Sequence, residues 1–264
     1  MVNMLNRLSP IALSLLRIVA GFLFVQHGLA KLFGWFGSQV VPTFSLFWFA
    51  GLLETIAGPL ILIGWFTQPV ALVLAGEMLA AYLIAHQPAG PWPIRNGGVV
   101  ALLFGFVFLH LASTGGGSIS LDSLRGRSTF LENWLKRLSP ATLATLRIGA
   151  AFLFFQYGAR KIFGWFGGRV VGFGSPTWIA GMMEALGAPL LALGLFTRPL
   201  AFLLSGEMAT AFWTSHFPRG PGFLPIQNGG EPAVLFCFIY IYLVTTGPGW
   251  LSLDRILFKK SSGR

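Results

Sequence analysis

The chain carries little charge: Asp, Glu, Lys and Arg make up 10% of its 264 residues, against roughly a quarter in a soluble domain. With 55% hydrophobic residues beside that shortage, an ordinary water-soluble domain is excluded. Cysteine is nearly absent. The single Cys237 excludes an internal disulfide, a dithiol redox pair and a thiolate cluster, so any redox work draws on a carrier other than the chain's own sulfur. Acidic residues number eight against eighteen basic ones, a net charge of +10. The basic residues lie mostly outside the apolar runs, so membrane topology accounts for them and nucleic acid does not. A phosphate loop, a nucleotide fingerprint, a nucleophile elbow and metal-spaced His, Cys and Asp are all missing.

What is present is apolar length. Several runs approach the ~20 residues that cross a ~30 Å hydrocarbon core. The 26 Phe and nine Trp include tryptophans near the run ends, as in the aromatic belts of membrane proteins. The first run, from Ile11 to about Ala30, is interrupted by Arg17 and followed by Lys31-Leu-Phe-Gly. It is too long for a signal-peptide core and has no small-residue cleavage motif, so a retained span is expected.

The chain repeats itself. Arg7-Leu-Ser-Pro10 returns as Arg137-Leu-Ser-Pro140, and at the same offset Arg17 meets Arg147, Gln26 meets Gln156 and Lys31 meets Lys161. Gly34-Trp-Phe-Gly37 meets Gly164-Trp-Phe-Gly167, Glu54 meets Glu184, Gly76-Glu-Met78 meets Gly206-Glu-Met208 and His86 meets His216. After a two-residue insertion, Asn96-Gly-Gly98 meets Asn228-Gly-Gly230 and Leu121-Asp122 meets Leu253-Asp254. Each half holds four apolar runs, near 11–30, 46–64, 69–86 and 98–114, and near 141–159, 177–195, 199–216 and 231–247. The expected fold is an all-α integral membrane protein of two four-helix bundles with about eight spans. Residues 1–118 form the first repeat, 119–138 a linker, and 139–264 the second repeat with its basic tail. An even number of spans per half makes the repeats parallel, unlike the inverted repeats of many transporters.

Orientation follows from Lys and Arg. Arg7, Arg125, Arg127, Lys136, Arg137, Arg198, Arg255, Lys259, Lys260 and Arg264 fall on one side; Lys31, Arg95, Arg160, Lys161, Arg169 and Arg219 fall on the other. The larger group marks the cytoplasmic side, which places both termini and the linker there and the chain in the cell's inner membrane. In the linker, Phe130, Leu131, Trp134, Leu135 and Leu138 share one helical face, as in a helix lying along the membrane surface.

Ionisable residues inside spans cost about 2.5–3.5 kcal/mol each on insertion scales and need a reason. Counting ~1.5 Å per residue, Arg17 lies ~9 Å, Glu77 ~12 Å and Glu54 ~15 Å from the cytoplasmic helix ends. Arg17 is therefore expected to meet Glu54 or Glu77, and Arg147 to meet Glu184 or Glu207. Gly51, Glu54 and Gly58 share a helix face on which small residues admit a close neighbour. One reading is a structural lock between helices; the other is a proton or substrate site using a carboxyl left unpaired. The two are compatible.

A second cluster gathers at the opposite end. Gln26, His27 and Lys31 close the first run, His86 closes the third, and a Pro- and Gly-rich loop carrying Trp92 and Asn96 follows. Gln156, Tyr157, Lys161, His216 and Asn228 are the matching set. Such a loop over a bundle mouth either caps a ligand pocket or merely turns the chain. Lys31 and Lys161 either face that pocket or snorkel to the interface. Haem on His27 and His86 is disfavoured, since Tyr157 replaces His27 in the second half. His110 stands alone on the fourth run and reads as a packed or interfacial residue.

The order Leu16-Arg-Ile-Val-Ala-Gly-Phe22, Gln26-His-Gly28, Lys31-Leu-Phe-Gly34, Gly51-Leu-Leu-Glu54, Gly58-Pro59 and Gly76-Glu-Met78 resembles the DoxX family, and the chain resembles two such units fused. The resemblance implies a four-helix membrane subunit in a redox setting, since the family takes its name from a subunit of a thiosulfate:quinone oxidoreductase. No residue here is assignable to thiosulfate chemistry. The implied ligand is a quinone, with no intrinsic cofactor; the implied partners are the lipid bilayer and subunits of a redox or respiratory complex. A scaffold subunit without chemistry and a small-molecule or proton pathway are the alternatives. Nothing in the pattern sets an oligomeric state.

Overall fold

The computed structural model describes residues 2–125 and 129–258, so Arg127, Lys259, Lys260 and Arg264 of the basic count lie outside the described residues. The first half runs α1 (Val2–Phe33), α2 (Leu46–Ile63), α3 (Thr67–Ala81), the short α4 (Pro93–Asn96) and α5 (Val99–Thr114). After α6 (Phe130–Lys136), the second half repeats this as α7 (Ser139–Ile162), α8 (Pro176–Leu193), α9 (Thr197–Ala211), α10 (Pro225–Asn228) and α11 (Glu231–Thr246), with α12 (Leu253–Phe258) last. Among the described residues there is no strand.

Local chemistry sets the helix ends. Ser45 and Ser175 start α2 and α8 by accepting the amides of Trp48 and Trp178 at 3.2 and 3.1 Å, a normal N-cap. Gly64 and Gly194 stop the same helices at φ 71° and 67°, where a side chain would be strained. The repeated aspartates cap from a distance. Asp122 accepts the amides of Phe66 and Thr67 at 2.9 and 2.7 Å, and Asp254 those of Phe196 and Thr197 at 2.8 and 2.9 Å. Each satisfies first-turn donors that have no partner within the helix.

The halves interlock. Within each half the first helix packs on the second (α1 on α2, α7 on α8) and the third on the fourth (α3 on α5, α9 on α11). Across the halves α1 packs on α11 and α5 on α7. The centre is thus built from α1, α5, α7 and α11, where Leu16, Phe24, Phe104, Phe154 and Phe236 are fully buried. The outer α2, α3, α8 and α9 turn Phe47, Leu79, Leu186 and Phe202 outward, as lipid-facing helices do. Phe24 meets Phe104 and Phe108 at centroid distances of 5.1 and 4.8 Å. Phe154 repeats this against Phe236 and Tyr240 at 4.8 and 5.3 Å.

His110 is a packed residue, as expected. Its Nδ1 lies 2.9 Å from Thr142 Oγ1 and its Nε2 2.9 Å from the Tyr242 hydroxyl. Tyr242 holds the position of His110 in the other repeat, so the pair sits where the approximate two-fold relating the halves brings α5 to α11.

Each of the eight expected runs is a helix, but they differ in their power to cross a bilayer. Val2–Phe33, Leu46–Ile63, Thr67–Ala89 and Pro176–Leu193 are long and apolar enough, and α6 with α7, bent by 56°, makes a fifth. The chain is a multi-pass membrane protein. The 16-residue α5 and α11 reach only about 24 Å; both lie in the shielded centre, where matching the lipid thickness matters least.

Candidate functional site

The two arginines do not meet the glutamates. Arg17 donates Nε to Gly116 O at 2.9 Å, Nη1 to Ile61 O and Leu62 O, and Nη2 to Ile119 O. Arg147 likewise reaches the carbonyls of Pro248, Ala192 and Leu251. Ile61–Leu62 and Ala192 end α2 and α8, where carbonyls lack helical partners and carry the negative end of the dipole. A guanidinium with five donors suits such a ring. Equal Cα depth misled the pairing expected from sequence, because long side chains reach along the helix: those of Arg17 and Arg147 run toward the helix ends.

The lysines take the glutamates instead. Lys31 forms an ion pair with Glu54, and Lys161 with Glu184 at 2.5 Å. Both turn into the bundle rather than snorkelling out. Close helix contact makes this possible: Cβ atoms built on Gly28 and Gly58 would lie 2.6 Å from Thr55 N and 2.9 Å from Val25 N. Only glycine lets α1 and α2 approach so far, and the approach sets Lys31 beside Glu54.

Members of the two clusters read separately from sequence share one cavity in the first half: the glutamates of one, and His27, Lys31 and His86 of the other. A cavity of about 500 Å³ opens in the first half and is lined by His27, Lys31, Glu54, Glu77 and His86. Its remaining wall is mostly apolar, with Phe47 and Ala50 of α2, Ala81 of α3 and Phe104 of α5. Both carboxyl oxygens of Glu77 are buried without a hydrogen-bond partner among the described residues. Glu54 and Lys31 are its charged neighbours. His86 ends a π-helical turn, Tyr82–His86, that continues α3; its Nδ1 lies 3.1 Å from Asn96 O. A carbonyl only accepts, so Nδ1 carries a proton, and in the neutral ring Nε2 is the acceptor.

Gln26, Trp92 and Asn96 stand outside the cavity wall. Gln26 donates to Phe22 O at 2.9 Å. Asn96 holds the mouth loop, donating to Gly90 O at 2.8 Å and accepting from Gly98 N at 2.9 Å. Trp92 leans on Phe166 of the other repeat, ring centroids 4.9 Å apart. In the second half, His216 Nδ1 faces Asn228 O at 3.3 Å, and Asn228 donates to Gly222 O at 3.3 Å. Gln156 accepts from Ile94 N at 3.2 Å, the Tyr157 ring meets Phe236 edge-on at 6.1 Å, and both carboxyl oxygens of Glu207 are, like those of Glu77, buried without a hydrogen-bond partner among the described residues.

Sequence reasoning missed Glu231. It lines the first-half cavity although it belongs to α11, and its Oε1 lies 2.8 Å from His27 Nε2. A signal existed: where the first half has His27, the second has Tyr157, and where the second has Glu231, the first has Val99. The two departures from the repeat fall at one contact. Among the described residues no group of three or more His, Cys, Asp or Glu could hold a metal ion.

Comparison with known proteins agrees with the duplication. An uncharacterised protein of Haemophilus influenzae is 41% identical over 133 residues, covering 48% of this chain and 99% of its own length. The putative oxidoreductase CatD of Bacillus subtilis is 30% identical over 124 residues, 45% of this chain and 90% of its own. The inner membrane protein YphA of Escherichia coli is 34% identical over 127 residues, 44% and 90% respectively. Each relative is thus about one repeat long. No solved structure matches the chain. The DoxX family model matches residues 12–87 and again 142–217, and the chain belongs to the DoxX family, as a tandem duplication of its unit.

Proposed function

We propose that the chain is a quinone-binding subunit of an inner-membrane redox complex, with the head group held in the first-half cavity. The observation that carries the reading is Glu77, whose two carboxyl oxygens are buried and unpartnered at a cavity with a largely apolar wall. A buried polar group without a partner is costly, and a ligand oxygen at that wall would relieve the cost. The volume fits a head group and the start of an isoprenoid tail, within the roughly 300–1,000 Å³ of small-molecule sites. Phe47 and Phe104 suit the ring and tail.

A bound quinone supplies two-electron, two-proton redox chemistry. Glu77 in its acid form donates a hydrogen bond to a carbonyl oxygen, and as a carboxylate it accepts one from a hydroxyl. His86 Nε2 offers a second acceptor. Lys31 is held by Glu54 and serves to position that carboxylate. Electrons come from a partner subunit; the name of CatD, a putative oxidoreductase, and that of YphA, an inner membrane protein, support the setting. The test is lipid extraction of protein purified in mild detergent, read by mass spectrometry. Wild type should retain a quinone, and Glu77→Gln or His86→Ala should lower retention by about tenfold, a loss of ~1.4 kcal/mol. Wild type with no quinone above detergent background would replace this reading with that of a scaffold subunit.

A further inference from the structure

The first-half cavity depends on three groups of the second repeat. Glu231 on α11 holds His27 at 2.8 Å. Gln156 on α7 accepts the Ile94 amide at 3.2 Å and so anchors α4 at the cavity mouth. Phe166 carries the Trp92 ring. None of the three is returned. In repeat register the His27–Glu231 contact becomes Tyr157 and Val99, which cannot form an ion pair, and Trp92 becomes Leu224. Gln26, the match of Gln156, keeps its Oε1 buried and without a hydrogen-bond partner among the described residues. The outer wall changes as well: Ala80, Ile84 and Ala85 of the first repeat are replaced at matching positions by Thr210, Thr214 and Ser215. A stretch suited to an apolar ligand body is hydroxyl-bearing in the second half.

We propose that the molecule has one ligand site, in the first repeat, and that the second repeat is its positioning half. Glu231 fixes the His27 ring, accepting from Nε2 and leaving that histidine one orientation at the cavity wall. Gln156 and Phe166 fix the mouth loop, whose Asn96 carbonyl in turn orients His86. The duplicated gene has thus turned two equivalent units into a site-bearing half and a supporting half. The identity of the ligand rests on the quinone reading; the asymmetry does not.

Two measurements on the full chain in lipid nanodiscs separate these. A decyl-substituted benzoquinone is titrated and bound ligand counted per chain. In parallel, dicyclohexylcarbodiimide, which modifies carboxyls from the lipid phase, is applied and its adducts at Glu77 and Glu207 are quantified by peptide mass spectrometry. Wild type should bind one equivalent. The double variant His27→Tyr, Glu231→Val installs the residues that the repeat register places at the matching positions, Tyr157 and Val99, and thermal unfolding in detergent checks that it folds as wild type does. The same variant should weaken binding by about tenfold and change modification at Glu77 severalfold, leaving Glu207 as in wild type. Leu224→Ala should change neither reading. Two equivalents per chain, wild-type affinity in the double variant, or equal shifts at Glu77 and Glu207 would each overturn the proposal. If wild type binds no quinone, the ligand reading fails and the carbodiimide result alone decides the asymmetry.

Discussion

Arg17 shows at the residue scale how a buried cation is accommodated without a carboxylate. Its donors serve carbonyls at the end of α2 and in the 116–119 turn, so it joins α1, α2 and the chain following α5 at one point. Arg17→Ala takes the guanidinium from Leu62 O and Ile119 O, while Ile61 O keeps Gly64 N and Gly116 O keeps Ser14 Oγ, at about 1–3 kcal/mol for each carbonyl that stays buried and unpartnered. A marked loss of folded protein is therefore expected in a thermal-unfolding assay in detergent. Arg17→Lys should recover only part of it, since a lysine cannot span the ring of acceptors. Adding Glu54→Ala to Arg17→Ala should make matters worse by the independent cost of the Lys31 pair, because the two sites share no partner. Recovery of stability in that double mutant would restore the Arg–Glu lock expected from sequence. The buried charges that recur in both halves were legible from the repeat, whereas Glu231, where the halves differ, was not. Nor was who pairs with whom, because helical depth counts fix Cα heights while Arg and Lys side chains reach along the axis.

Among elements, the contact of α1 with α2 decides whether the site exists. A Cβ on Gly28 would lie 2.4 Å from Thr55 Oγ1 and 2.6 Å from Thr55 N, whereas one on Gly76 would meet nothing within 4 Å. Gly28→Ala should therefore cost about 1–3 kcal/mol by overpacking and move Lys31 away from Glu54. Gly76→Ala should be neutral or stabilise α3 by roughly 0.5–1 kcal/mol. Unfolding by a harsh detergent titrated into a mild one ranks the two variants; equal sensitivity would contradict the helix contact. Both glycines stand in repeated motifs, so repetition alone did not separate a packing requirement from a tolerated residue. The helices themselves were legible, since eight apolar runs gave eight helices, with α1 starting nine residues before its run and the others agreeing within a few residues. Their arrangement was not: contacts within a run's own repeat are easier to foresee than α1 against α11, which follows from the interlocking of the halves. The same interlocking hid Glu231 from any reading that treats each repeat as a separate bundle.

The whole molecule has two faces that a membrane must tell apart. One carries the start of α1, the ends of α2 and α5, and the start of α7, tied together by Asp122 N to Gly64 O at 2.9 Å and Ser118 N to Pro10 O at 3.2 Å. The other carries the cavity mouth and the loop with Trp92. Ten Lys and Arg belong to the first face by sequence and six to the second, and two of those six, Lys31 and Lys161, are neutralised in place by Glu54 and Glu184. By the positive-inside tendency the bias of ten to six leads us to propose that the first face, with both termini, is cytoplasmic. The helix α6 agrees with a surface position: Phe130 and Trp134 are exposed, 88% and 51%, beside Lys136, as expected of a segment resting its aromatics in lipid headgroups. The proposed quinone site would then open toward the outer leaflet. A cysteine-free background made by Cys237→Ser permits the measurement, with Ser123→Cys reporting the first face and Ser38→Cys the second. In intact cells an impermeant maleimide should label the Ser38→Cys protein and spare the Ser123→Cys protein until the membrane is opened. The reverse pattern would invert the molecule, and with it the side from which the cavity is reached.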